Sequence, residues 1–366
     1  MLVLFHMLYY TRDKHAVNII LEACWNMNLK PILAFVTVTI FLVLILPALL
    51  VLPFSGDDKE YVAQKDNPNK QYEPVIAVPE PSIDIAVFRY NANKIETVDL
   101  EDYVIGVVAS EMPAEFEEEA LKAQALTART YILRQLMYPS DIKLPEGADV
   151  TDTVYHQVYR NYEDYKKLWG DDYEWKIAKV KQAVYATSGE ILTYNDQPIT
   201  ASFFSTSNGY TVNSEDYWEN AFPYLRSVAS PWDVNSPRYT KTITISKSDF
   251  EKKLGVSLPS GDKIGSVVSR TSGDRIGEVI IGGKSFSGRE VRQKLELHST
   301  DFTWQRKGNE ITITTKGYGH GVGMSQYGAN GMALEGKTYQ DIVNYYYQGV
   351  KISSIDAYLP GAKKKK

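Results

Sequence analysis

One glutamate, Glu111, stands where an acid for bond cleavage would be useful. Residues 99–112 (DLEDYVIGVVASEM) repeat apolar side chains at helical spacing, and continuing that stripe by one step reaches Glu111. A carboxyl group on the apolar face of a helix is partly desolvated, which raises its pKa. Such an acid can protonate the leaving oxygen of a glycosidic bond. The pattern also fits a simpler role, in which Glu111 ends the helix before Pro113 and faces water.

Two later segments concentrate polar groups near glycine turns. Residues 203–219 (FFSTSNGYTVNSEDYWE) suit either the wall of a sugar-binding groove or an exposed loop. Residues 316–331 (KGYGHGVGMSQYGANG) contain glycines that permit tight turns and close approach of a ligand. His320 lies among them, and a lone histidine in such a loop is more often structural than catalytic. Neither segment matches a phosphate-binding loop or a serine-nucleophile motif.

Composition narrows the class of protein. The 366 residues include 40 Lys and Arg against 45 Asp and Glu, a formal charge of −5. This balance gives no support for a nucleic-acid partner, which calls for a basic face. The single cysteine, Cys24, excludes a disulfide framework and, with five scattered histidines, argues against a structural zinc site.

An apolar run near the N-terminus predicts a membrane anchor. Residues 31–54 carry no charge and are long enough to span a bilayer as a helix. No Ala-x-Ala pattern follows, which favours an uncleaved anchor over a signal peptide. Basic residues before the run and acidic residues after it predict that the rest of the chain lies outside the cytoplasm. We predict an upstream extension or cytoplasmic head over 1–26, a transmembrane anchor over 27–54, a linker over 55–80, an extracytoplasmic domain over 81–358 and a basic tail over 359–366.

The order of elements in the folded part predicts an α+β fold. A helical segment carrying Glu111 should pack with mixed sheets of short strands, after one transmembrane helix. Helices are predicted over 99–112, 117–136, 175–186, 287–295, 325–335 and 339–347. Strands are predicted over 189–196, 198–205, 240–247, 277–286 and 309–315. Residues 154–169 are predicted to form a surface helix or hairpin.

Four motifs together resemble a known family. In chain order they are ASEMPAEF, ALKAQALTARTY, STSNGYT with SEDYW, and GYGHGVGMSQYGANGMA. They are similar to the family of stage II sporulation protein D and amidase enhancers, over roughly residues 82–350. The resemblance implies a membrane-anchored lytic transglycosylase that cleaves between N-acetylmuramic acid and N-acetylglucosamine in peptidoglycan, preferably in strands without stem peptides. It further implies action during engulfment in sporulation, in the space between mother cell and forespore, with stage II sporulation proteins P and M as partners.

The resemblance also assigns roles to residues. It makes Glu111 the catalytic acid and places Lys122 and Arg129 where they hold substrate or fix the carboxylate. The implied substrate-binding set is completed by Ser205, Ser207, Tyr210, His320, Ser325, Gln326 and Tyr327. Some members bind zinc through one histidine and two cysteines after the second helix. Here His156 has no cysteine to accompany it, so we predict no metal and no cofactor.

Three functional classes stay open from the sequence. A lytic transglycosylase can use Glu111 alone, first as acid and then as base, to leave a 1,6-anhydro end. A hydrolase needs a second carboxylate, for which Glu215 and Asp216 are candidates. The non-enzymatic alternatives are a peptidoglycan-binding enhancer of a cell-wall amidase and a scaffold for membrane partners. Anhydro ends, reducing ends or the absence of cleavage would distinguish these classes.

Overall fold

The computed structural model describes residues 83–359, and within them the predicted α+β class is confirmed. The predicted head, anchor and linker lie outside the described residues, as does the tail from residue 360 onward. Among residues 83–359, no helix combines the length and apolarity needed to cross a bilayer.

Helices and short strands alternate irregularly along the chain. The helices are α1 (Leu100–Glu111), α2 (Glu118–Met137), α3 (Tyr162–Trp169), α4 (Tyr173–Tyr185), α5 (Lys247–Leu254), α6 (Gly288–Leu295), α7 (Gln326–Leu334) and α8 (Tyr339–Tyr346). The strands are β1 (Asp84–Arg89), β2 (Lys94–Asp99), β3 (Val150–Thr151), β4 (Glu190–Tyr194), β5 (Gln197–Pro198), β6 (Phe203–Phe204), β7 (Thr240–Ser246), β8 (Gly265–Arg270), β9 (Ile276–Ile281), β10 (Lys284–Ser287), β11 (Phe302–Lys307), β12 (Glu310–Lys316), β13 (Met324–Ser325) and β14 (Lys351–Ser354).

The two helices predicted around Pro113 form as the sequence indicates. Asp99 caps α1, because its carboxylate accepts a hydrogen bond from the Glu101 N–H at 2.9 Å. Pro113 follows the helix, which ends at Glu111. The acidic first turn of α2 complements its helix dipole. The chain therefore turns sharply just after Glu111.

Helix α2 lies at the centre of the main core. Small buried side chains let other helices approach it closely: Ala120, Ala123, Ala125 and Ala128. Helices α1, α4, α7 and α8 all contact it. Because α7 belongs to the glycine-rich C-terminal motif, α2 brings residues that are far apart in sequence to the end of α1.

Small sheets surround this helical core. The sheet orders are β2-β1-β3, β14-β4-β5 and a two-stranded β13-β6, in which the strands run parallel. This last pair joins residues 203–204 to residues 324–325, so the two polar segments of the sequence are neighbours in the fold.

Residues 240–316 form a lobe between β6 and β13 in the chain. It contains the sheets β11-β12-β7 and β10-β9-β8 together with α5 and α6. Its apolar core is separate from the main one and includes Phe250, Val279, Val291 and Ile311. The lobe therefore has its own packing, while the ends of its segment return to the helical core.

Most predicted elements agree with the structure to within a few residues, with three corrections. The strand predicted over 277–286 is instead a hairpin of β9 and β10, which turns at Gly282 and Gly283. Residues 198–205 do not form one strand, because only Pro198, the last residue of β5, and the two residues of β6 are in strands. Residues 154–169 are helical only from Tyr162 onward, and the preceding loop packs on α1 through Tyr159 and Arg160.

Candidate active site

Glu111 is the last residue of α1, and its side chain is partly buried. The loop 152–161 reaches it because α1 carries Gly106 at the contact. A Cβ atom at Gly106 would lie 2.4 Å from the Tyr159 ring, so the loop packs directly on the helix only against glycine. The Val158 N–H consequently donates a hydrogen bond to Glu111 Oε1 at 3.3 Å.

The electrostatic environment of Glu111 favours its protonated form. Burial raises the pKa of Glu111, because a desolvated carboxylate is disfavoured. The Val158 N–H and the Arg160 cation oppose this shift, since both stabilise the ionised form, but burial dominates. The carboxyl group therefore stays protonated to a higher pH than that of an ordinary glutamate. After it donates its proton, the Val158 N–H and the Arg160 cation stabilise the resulting carboxylate.

Glu111 faces a cavity of about 250 Å³ at the junction of the helical core and the polar segments. Besides residues 109–115, the lining consists of Trp169, Lys176, Ser205, Arg238, Gln326 and Tyr327. The structure thus brings Ser205, Gln326 and Tyr327 into the cavity, as their assignment to the site requires. The Trp169 and Tyr327 rings offer flat apolar surfaces beside hydrogen-bonding groups, a combination that suits a sugar.

Helix α7 is tied directly to the end of α1. Gln326 Nε2 donates a hydrogen bond to the backbone carbonyl of Glu111 at 3.0 Å and lies 3.4 Å from Oε1 of the buried Gln124. The Tyr327 N–H donates to the carbonyl of Ser205 at 3.1 Å. These contacts fix three separate chain segments around one cavity, so the position of Glu111 depends on all of them.

Charged groups in the cavity differ in whether they are paired. Lys176 Nζ lies 2.8 Å from a carboxylate oxygen of Glu115 and 3.4 Å from one of Asp172. Arg238 is exposed at the cavity and forms no salt bridge within the part of the chain that the structure describes. Glu115 is a second carboxylate in the same cavity, but it is tied to Lys176.

Arg129 does not line this cavity. Its guanidinium group is fully buried and pairs with both carboxylate oxygens of Glu101, at 2.9 and 2.6 Å. It also donates to the backbone carbonyls of Glu190 and Val184, each at 3.1 Å. All of these partners are protein atoms, so the structure gives Arg129 a role in holding α1, α2, α4 and β4 together.

Lys122 and Tyr210 also lie away from the cavity. Lys122 pairs with Glu118 at 2.9 Å and with Glu119 at 2.8 Å along its own helix. The Tyr210 side chain is 52% exposed, and its backbone bridges to Ala229. Neither residue is among those that the structure brings to Glu111.

Ser207 and Ser325 bind a buried carboxylate instead of facing the cavity. Asp233 is fully buried and accepts hydrogen bonds from the Ser207 N–H and hydroxyl, both at 2.8 Å, and from the Ser325 and Ser230 hydroxyls, both at 2.5 Å. Burial raises the pKa of Asp233, while these hydrogen bonds lower it. The cluster therefore holds together the segments around residues 207, 230 and 325, and Ser325 directly precedes the cavity residues Gln326 and Tyr327.

His320 belongs to a different cavity. Its ring packs among Phe204, Tyr217 and Trp218, with centroid distances of 5.2 to 5.7 Å. It lines a space of about 150 Å³ together with the buried Arg275. Burial and the cations Arg292 and Arg275 lower the pKa of His320 to about 3. The imidazole is therefore neutral at physiological pH and is no proton donor to a reaction at Glu111.

The two carboxylates considered for a hydrolase are placed elsewhere. Glu215 pairs with Arg226, with one N–O distance of 2.6 Å, and this interaction lowers the pKa of Glu215. Asp216 accepts a hydrogen bond from the Ser272 N–H at 3.0 Å and lines the cavity of His320. Neither lines the cavity that holds Glu111.

His156 is the residue that the resemblance connects with metal binding. Over residues 83–359, no group of three or more His, Cys, Asp and Glu side chains is placed to hold a metal ion. His156 is largely buried, and its Nδ1 lies 3.2 Å from the Thr151 hydroxyl. In this chain, hydrogen bonds therefore hold His156 in the loop that leads to Val158.

Sequence reasoning missed several residues around Glu111. Val158 acts through its backbone N–H, which no side-chain pattern reveals. Trp169 lies in the segment predicted to form a surface helix or hairpin, Lys176 lies on a predicted helix without a motif, and Arg238 lies in a segment without a motif. Glu115 could have been identified from the sequence, because it lies within the motif ASEMPAEF.

Comparisons with known proteins identify the family to which the four motifs are similar. A family model described as Stage II sporulation protein matches residues 89–194. The chain is 51% identical to stage II sporulation protein D of Bacillus subtilis, over 87% of this chain and 94% of that protein. It is 48% identical to the protein of that name in Bacillus amyloliquefaciens, over 90% of this chain and 98% of the relative. An amidase enhancer of Bacillus subtilis is 30% identical over 68% of this chain, which covers 40% of the enhancer.

Proposed function

The chain belongs to the stage II sporulation protein D family, and from that premise we propose that it is a lytic transglycosylase of peptidoglycan. Membership makes it a sporulation protein, and its similarity to an amidase enhancer points to the cell wall. The observation that carries the proposal is Glu111, a carboxyl group with a raised pKa in a cavity that offers aromatic and polar groups. This is the environment that a general acid for glycosidic cleavage requires.

The proposed substrate is the bond between N-acetylmuramic acid and N-acetylglucosamine in glycan strands without stem peptides. We propose that the protein acts in engulfment during sporulation. Its catalytic domain would lie on the outer side of the membrane to which residues 27–54 would anchor it. Stage II sporulation proteins P and M are the proposed partners. These assignments follow from the family resemblance and are independent of the geometry around Glu111.

The proposed mechanism uses Glu111 twice. The protonated carboxyl group donates its proton to the glycosidic oxygen, and the bond from that oxygen to C1 of the muramic acid breaks. The resulting carboxylate accepts the proton of the C6 hydroxyl of the same sugar, whose oxygen bonds to C1. The products are a leaving strand that ends in a free hydroxyl of N-acetylglucosamine and a strand that ends in 1,6-anhydromuramic acid. Water is not consumed, and Glu111 returns to its protonated state.

Product analysis tests this function directly. Purified protein is incubated with peptide-free strands, with and without a chelator, and the ends are identified by mass spectrometry. We expect 1,6-anhydromuramic ends under both conditions. Reducing ends would instead indicate a hydrolase, with Glu115 as the second carboxylate that lines the cavity. Strand binding without cleavage would contradict the enzymatic proposal.

The second candidate is a non-enzymatic enhancer of a cell-wall amidase. The similarity to an amidase enhancer is the observation that favours it. In that role the same cavity would bind glycan, and Glu111 would serve only as a hydrogen-bonding group. Stimulation of a purified amidase by protein that cleaves no strands would support this alternative.

The surroundings of Glu111 predict how the activity depends on pH. The acid form is required, so kcat/KM should fall as the pH rises through the raised pKa of Glu111. The Arg160 cation lowers that pKa, so Arg160→Gln should raise it further and move the alkaline limb to higher pH. Lys307→Gln removes an exposed charge in the lobe of residues 240–316 and is the matched control. An alkaline limb that stays in place or moves to lower pH would contradict this assignment.

A further inference from the structure

Arg238 is the cation of the Glu111 cavity that remains available to a ligand. Its side chain is exposed and lines the cavity, and it has no salt-bridge partner among residues 83–359. Its backbone is held in place, because the Arg238 N–H donates to the Ser236 hydroxyl at 3.1 Å, and that hydroxyl lies 2.9 Å from the Thr206 hydroxyl. The guanidinium carbon lies 5.3 Å from the centroid of the Tyr318 ring, which supports the side chain from one side.

Two other cations near Glu111 already interact with carboxyl groups of the protein. Lys176 is neutralised by Glu115 and Asp172. Arg160 acts on Glu111 itself, since it lowers the pKa of that carboxyl group. An anionic group of the substrate would therefore find its charge partner at Arg238.

The proposed substrate carries one anionic group at a defined place. When a stem peptide is present, the lactyl group of muramic acid ends in an uncharged amide. When the peptide has been removed at that amide, the lactyl group ends in a carboxylate. The presence of this charge is the chemical difference between a peptide-free strand and a substituted one. Guanidinium groups recognise carboxylates through paired, charge-assisted hydrogen bonds.

We propose that Arg238 is a specificity-determining residue, which binds the lactyl carboxylate of a muramic acid in the cavity and thereby selects peptide-free strands. The inference rests on the proposed function, because it takes the cavity of Glu111 as the glycan site. It adds a cause for the preference: the strand is selected by a charge that the amidase reaction exposes, in addition to any steric exclusion of the peptide. Arg238 accordingly acts on substrate choice, and Glu111 acts on the bond.

The test compares two strands that differ only in this charge. One is a peptide-free strand with free lactyl carboxylates, and the other is the same strand with these groups converted to methyl amides. Neither carries a peptide, so steric exclusion is the same for both. The wild-type protein should cleave the free-carboxylate strand with about tenfold higher kcat/KM, the size typical of one charge-assisted contact. Arg238→Gln should lower kcat/KM on the free-carboxylate strand by about tenfold more than on the methyl amide strand, which removes the difference between the two strands.

Two further variants make the test specific. Arg238→Lys keeps the charge without the forked geometry and should restore part of the preference. Lys307→Gln removes an exposed charge in the separate lobe and should keep the wild-type preference. Equal losses on both strands in Arg238→Gln, or an unchanged preference, would overturn the proposal.

Direct binding separates this proposal from the proposed function. The affinity of full-length wild-type protein and of Arg238→Gln for short free-carboxylate and methyl amide strands can be measured by calorimetry. A charge-dependent affinity that disappears in Arg238→Gln would support the inference even if no anhydro ends were formed. Cleavage with anhydro ends but without any effect of Arg238→Gln on either affinity would overturn the inference and leave the proposed function standing.

Discussion

Glu111→Gln is expected to lower the release of anhydro ends by about 10²–10⁴-fold, the range for loss of a general acid or base. Glutamine keeps the size of the side chain, and its amide oxygen can still accept the Val158 N–H hydrogen bond. The contact from Gln326 reaches the backbone carbonyl of residue 111 and is unaffected by the substitution. The variant loses the proton that the reaction needs and keeps the contacts that hold the end of α1.

Stability and binding measurements are the controls for this variant. Because the folded state raises the pKa of Glu111, folded protein binds this proton more tightly than unfolded protein does. Wild-type stability should therefore decline as the pH rises through the raised pKa, and the glutamine variant lacks that decline. Its free energy of unfolding at neutral pH should equal or exceed that of the wild type. Its affinity for peptide-free strands should be retained.

The comparison discriminates between the enzyme and the enhancer. A general acid cannot be replaced by an amide, whereas a hydrogen-bonding contact in a binding groove tolerates one. Equal release of anhydro ends by wild type and Glu111→Gln, at equal concentrations of folded protein, would remove Glu111 from the mechanism. A variant that binds strands normally and cleaves none would place the loss in the chemical step.

The sequence predicts α1 and the setting of Glu111 because both depend on local periodicity. The apolar stripe is buried, together with Glu101, Ile105 and Gly106 outside it, and Asp99 and Pro113 mark the ends of the helix. The hydrogen bond from Val158 depends on a loop 47 residues further along the chain packing at Gly106. Such a contact follows from tertiary packing and leaves no period in the sequence. The raised pKa was predictable, whereas its partners were not.

The serines of the polar segments show a second limit. A run of hydroxyl groups has the same appearance in sequence whether it faces a sugar or a buried carboxylate. In the structure Ser207 and Ser325 donate to Asp233, while Ser205 lines the cavity. Asp233 lies outside both motifs, so nothing in the sequence indicated that two of these hydroxyls already have a partner. Motif resemblance therefore identifies the segments correctly without separating residues that hold the fold from those that face the ligand.

Arg129 belongs to the same class, and its removal should have the largest effect on stability. Arg129→Met leaves Glu101 buried without its cation and removes donors from the carbonyls of Glu190 and Val184. Breaking a buried pair by removing one partner typically costs about 3–5 kcal/mol. We expect a loss of that size in the free energy of unfolding, measured by urea denaturation. Lys166→Met, which breaks an exposed pair with Glu163, should leave the free energy of unfolding close to the wild-type value.

A double variant distinguishes this structural role from substrate binding. Adding Glu101→Gln to Arg129→Met removes the unpaired buried charge, so the double variant should be more stable than Arg129→Met alone. Its kcat/KM per folded molecule should stay close to the wild-type value, because the pair lies outside the cavity of Glu111. Arg129→Met with an unchanged free energy of unfolding and a large loss of strand cleavage would show that Arg129 reaches the substrate. Recovery of stability in the double variant, with cleavage retained, would assign Arg129 to the framework that holds α1 and thereby Glu111.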